Sequence, residues 1–189
     1  MRKFKMTLVA LSLLAGIGSA QAHRQWLLPS ASQVEGREPW VTVDAAVSED
    51  LFDIGANALK LDGLVIIAPD GQTVAPDQTS QGKYRASADV KLLQKGTYRF
   101  ALVSETAMAS YKLNGEVKRW RGNGADLKKE IPAGAEEVSV TTTLGRLETY
   151  VTAQQPSKVV IKPTGSGLEL IPLDHPTEFQ VGQGRVSAS

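Results

Sequence analysis

His23 and His175 are the only imidazoles in this 189-residue chain, and it has no cysteine, so imidazole- or thiolate-based metal chemistry rests on two side chains. His23 directly follows Ala20-Gln21-Ala22, a small-residue motif of the kind signal peptidase cuts. Cleavage there would give His23 a free α-amine beside its imidazole. One residue carrying both groups closes a chelate ring on a divalent ion, and such donors suit copper, nickel or zinc better than calcium or magnesium. His175 would add a third nitrogen, and a carboxylate near a strand end would add oxygen: Asp44 first, with Glu49, Asp50 and Asp53 as others. A plainer account stands beside this. Every exported chain leaves some residue first, and His175, between Asp174 and Pro176, also reads as a turn histidine held by a local hydrogen bond.

Other chemistries find less support. The missing cysteines exclude thiolate nucleophiles and zinc-thiolate sites. The chain has no nucleophile elbow, no Ser/His/Asp set and no paired-carboxylate motif. Gly122-Asn123-Gly124 and Gly165-Ser166-Gly167 lack the strand-to-helix setting of a phosphate loop. The expectation is a protein that is not an enzyme. Lys118-Arg119-Trp120-Arg121 mixes base with aromatic in a way that can stack on nucleobases or sugars, but a strand presents only alternate residues on one face. A charged hairpin edge that discourages unwanted strand pairing explains it as well.

These residues need positioning. Arg2, Lys3 and Lys5, then an apolar run from Met6 to about Ala20, complete a secretory leader over residues 1–22 and imply a periplasmic or secreted product. The run breaks at Gly16, Gly18 and Ser19, too early for a membrane anchor. The leader holds three of the 21 basic residues and none of the 20 acidic ones, so the mature chain carries 18 against 20, a formal −2. No basic field for nucleic acid remains.

The mature chain reads as mainly β, an antiparallel sandwich or barrel. Expected strands are Trp40 to Val47, Leu64 to Ala68, Lys83 to Val90, Thr97 to Val103, Val138 to Thr143, and Arg146 to Ala153, the last two split by Leu144-Gly145. Short strands follow at Val159 to Ile161 and Leu168 to Leu170. Pro69-Asp70-Gly71 is a turn, and Asn114-Gly115 is a type I′ hairpin signal because both positions accept positive φ. Ala125 to Glu130 makes one helical turn. Trp26 and Trp40 are expected to pack the sandwich, with Trp26-Leu27-Leu28-Pro29 pinning the new N-terminus. The tail from Gly182 is expected to be disordered.

The stretches His23-Arg24-Gln25-Trp26-Leu27-Leu28-Pro29, Trp40 to Ser48, Leu61-Asp62-Gly63-Leu64, Ala68-Pro69-Asp70-Gly71 and Gly96-Thr97-Tyr98-Arg99 form a set with Tyr111 to Gly115, Lys118 to Gly122, Glu148 to Thr152 and Gly167 to Pro172. Together they resemble bacterial exported proteins that carry the DUF4198 domain and are grouped with periplasmic components of nickel or cobalt uptake. The resemblance implies an exported, non-enzymatic Ig-like β-sandwich over residues 23–165. Residues 166–189 would be a linker and the truncated start of a second β module. It further implies a transition-metal cargo of nickel, cobalt or copper, an inner-membrane metal transporter as partner, and His23 as a ligand. The alternative is a structural or adhesion-type Ig-like envelope module that binds a protein or glycan without metal, favoured if Trp120 shares a flat exposed face with Arg119 or Arg121.

Overall fold

The alternating stretches form strands because each offers one row of apolar or β-branched side chains that a pleated backbone can bury. The computed structural model describes residues 23–55, 57–180, 182 and 185–188; the expected leader lies outside them. Among the described residues the strands are, in chain order, β1 (Arg24–Pro29), β2 (Gln33–Val34), β3 (Trp40–Ser48), β4 (Asn57–Ala58), β5 (Leu64–Ile67), β6 (Thr73–Val74), β7 (Gln78–Gln81), β8 (Ala86–Lys91), β9 (Gly96–Leu113), β10 (Glu116–Gly122), β11 (Glu136–Ala153), β12 (Leu170–Pro172) and β13 (Val186–Ala188). None of the described helices is long and apolar enough to cross a membrane.

One sheet has the order β1-β3-β8-β7, with β4 added on β3; the other has β2-β11-β9-β5-β6, with β10 added on β9. This is the strand order of an immunoglobulin-like sandwich. The chain crosses from the first sheet to the second between β1 and β2, and β2 runs parallel to β11. Val41, Val43 and Ala45 from one sheet meet Ile66, Tyr98, Phe100 and Val151 from the other in the shared core. At the entry to β9, the Tyr98 hydroxyl accepts from the Gln94 N–H at 2.7 Å and donates to its carbonyl at 3.2 Å. Such a tyrosine corner locks the turn into the strand. Gly96 sits at φ +136°, with a would-be Cβ only 2.6 Å from the Pro69 side chain, so no other residue fits there.

Asn114 and Gly115 both have positive φ, 54° and 79°, and join β9 to β10 as the hairpin signal predicts. The Pro69-Asp70-Gly71 turn closes with the Gly71 N–H on the Ala68 carbonyl at 2.8 Å. Other expectations are corrected. β11 is one strand, not two: Gly145 stays extended opposite Ser104, whose hydroxyl would lie 2.8 Å from any Cβ there, so this glycine marks a close approach and not a break. The strand expected from Lys83 begins at Ala86, because the chain turns at Gly82, whose N–H binds the Arg85 carbonyl. Val159–Ile161 is a 3-10 turn with Val160 buried. Trp40 is 53% exposed, since Val41 and Val43 take the inward positions. The tail expected to be disordered contains β13, which pairs with β12.

The three-stranded ribbon of β9, β10 and β11 continues past Leu102 and Leu147, the last residues on these strands that pack into or against the core. After β11 the chain returns over the outer face of the second sheet. There Thr97, Arg99, Glu148, Tyr150 and Thr152 point away from the core.

Candidate functional site

β1 is fixed where the sequence suggested. Trp26 is buried, its indole N–H donates to Ser48 Oγ at 2.8 Å, and Phe52 meets its ring edge-on at 5.8 Å. His23 precedes the strand and is exposed. Gln25 and Leu27, a core residue, share one side of β1. Gln25 lines a cleft of about 820 Å³ together with Lys60, Asp62, Glu105, Asn123 and Arg146, so the cleft carries cations as well as carboxylates, and His23 is not part of its wall.

Asp44 lies elsewhere. It is in register with Leu28, five residues along from His23, which is roughly 17 Å of strand. Its alternation sends it to the outer face of the first sheet, where Ser87 Oγ donates to it at 2.6 Å and Arg85 pairs with it at 3.2 Å.

His175 lies on the outer face of the second sheet. Its Nε2 is 3.2 Å from the Ser157 carbonyl and 3.0 Å from Thr97 Oγ1, and its Nδ1 is 3.1 Å from Thr177 Oγ1. A carbonyl only accepts, so Nε2 carries the proton and Nδ1 accepts from Thr177. Thr97, Thr152 and Thr177 are themselves chained at 3.0 and 2.7 Å. Both ring nitrogens are occupied in clamping the C-terminal segment onto the sheet. The three residues expected to share an ion are thus distributed over one end and two opposite outer faces. No group of three His, Asp or Glu side chains converges among the described residues.

Sequence reasoning missed a charged layer under that segment. Arg146 Nη1 donates to Glu148 Oε1 at 3.0 Å and lies 3.7 Å from Glu169. Glu169 is buried and accepts from the Thr164 hydroxyl and the Thr164 and Gly165 N–H groups. Those hydrogen bonds, the Thr164 hydroxyl first, lower its pKa to about 2. Tyr150 donates to Glu148 at 3.3 Å; burial, then the neighbouring Glu148 charge, pushes its hydroxyl up to about 12. Arg99 is 7% exposed, its Nε has no hydrogen-bond partner, and Glu148 is 3.9 Å away. The only signal for this layer was polar residues at every second position of β11, which in a sequence reads as a wet sheet face.

Trp120 is half-buried over Gly122 and pairs with Ala109, whereas Arg119 and Arg121 pair with Ser110 and Met108 on the opposite face. Of the nearby cations, Lys118 shares the face of Trp120, and the two arginines do not.

The family model described as "Domain of unknown function (DUF4198)" matches residues 20–186. Neither a curated protein nor a solved structure matches the chain.

Proposed function

The chain belongs to the DUF4198 family, and on that premise we propose that it is an exported, non-enzymatic protein that carries nickel, cobalt or copper for a membrane transporter. The observation that carries this reading is that His23 is exposed immediately before β1, a strand anchored by the buried Trp26. After cleavage at Ala22 the α-amine and imidazole of His23 bind the ion as a chelate, and water completes its coordination. His175 and Asp44 take no part, because their polar atoms serve the fold.

Calorimetric titration of the chain beginning at His23 tests this. Nickel, cobalt or copper binds with one-site stoichiometry, and one extra residue before His23 weakens binding at least about tenfold by blocking the amine. Equal affinity in the two forms would exclude the chelate. The Trp120 and arginine arrangement gives the adhesion reading no matching support.

A further inference from the structure

Among the described residues, one side of β11 has no strand partner along most of its length. β9 pairs with it from Glu136 to Ala153, but on the other side β2 reaches only Thr152 and Ala153 among the described residues. The Thr152 N–H donates to Ser32 and that of Gln154 to Val34, so even-numbered residues aim their backbone groups at this side. The register with β9 is unbroken from Ser139 onward. Val140, Thr142, Leu144, Arg146, Glu148 and Tyr150 therefore direct N–H and C=O groups to the open edge.

The stretch from Val138 to Leu144 has no charge and no proline, and Val138, Val140 and Leu144 are 47%, 42% and 62% exposed. Across the ribbon, β10 carries Lys118, Arg119 and Arg121, the usual defence of an edge. β11 has no such defence here. A long, β-branched, uncharged edge is a template for another strand.

We propose that this edge joins two copies of the chain, β11 pairing antiparallel with its counterpart about a two-fold axis at Thr141. In that register the edge-facing groups of Val140 meet those of Thr142 in the second copy, and Val138 approaches Leu144. The side chains of Val140, Thr142 and Leu144 share a face, so the exposed apolar groups of both copies cover each other. Charge selects the orientation. Glu136 and Glu137 flank one end of the uncharged stretch, so parallel pairing would bring the carboxylates of both copies together, whereas the antiparallel register sets them at opposite ends of the contact. The contact lies on the ribbon beyond Leu102 and Leu147, so the sandwiches need not collide. The proposal is independent of the metal reading.

Sedimentation velocity of the chain from His23 onward, across micromolar concentrations, should show a concentration-dependent dimer. Val140→Lys and Thr142→Glu should each raise the dimer dissociation constant at least about tenfold with an unchanged circular dichroism spectrum. Mixing the two variants should restore the dimer, since residue 140 of one copy faces residue 142 of the other. A wild-type chain that stays monomeric throughout, a dimer indifferent to both substitutions, or a mixture that fails to reassociate would each overturn the proposal.

Discussion

Glu169 shows how one side chain ties the C-terminal segment to the sandwich. Its carboxylate accepts hydrogen bonds from three donors, the Thr164 hydroxyl and the Thr164 and Gly165 N–H groups, and faces Arg146, all of which favour the charged form. A carboxyl whose pKa falls from 4.5 to about 2 on folding contributes stability above pH 4.5, and that contribution is lost as pH falls towards 2. Amide exchange at Thr164 and Gly165 should accelerate over that window, earlier than exchange in the core strands. Glu169→Gln should show the faster exchange already at neutral pH. His175 invites the complementary test. His175→Ala leaves two threonine hydroxyls and a carbonyl short of a partner, so proteolysis of the segment after Pro163 should increase while affinity for nickel at His23 stays the same. A change in metal affinity would return His175 to the coordination sphere.

At the level of elements, the hairpin between β9 and β10 depends on Gly115 at φ +79°. Gly115→Ala places a Cβ in the left-handed region and should cost about 1 kcal/mol, read as a lower midpoint in chemical denaturation. The same hairpin was legible from Asn114-Gly115, because a two-residue type I′ turn leaves a local chemical trace. β11 was not. Leu144-Gly145 resembles a break, and only the opposing Ser104, far away in the chain, explains a glycine within a continuous strand. Val159–Ile161 misled for the same reason: three β-branched residues suit a strand, but packing Val160 against the sandwich selects a tight helical turn.

For the molecule as a whole, the immunoglobulin-like order sets β2 beside β11, and the chain after β11 covers the outer face of the second sheet. Within residues 166–189, read from sequence as a linker and the truncated start of a second β module, Glu169, His175 and Thr177 make contacts with that sheet. Burying polar groups there is tolerable because nearly all have partners; the Nε of Arg99 is the exception among the described residues.

Strand chemistry and turn residues are local properties, so the amino-acid order alone determined a β-rich chain, its tight hairpin and a family resemblance now matched over residues 20–186. Which side chains meet was decided only by the tertiary structure. Register sets Asp44 opposite Leu28, five residues along from His23, the chain's return over the second sheet occupies both nitrogens of His175, and the length of β11 leaves one edge open. Each of these outcomes depends on contacts between residues distant in sequence, and a periodic pattern records which positions are buried without recording what covers them.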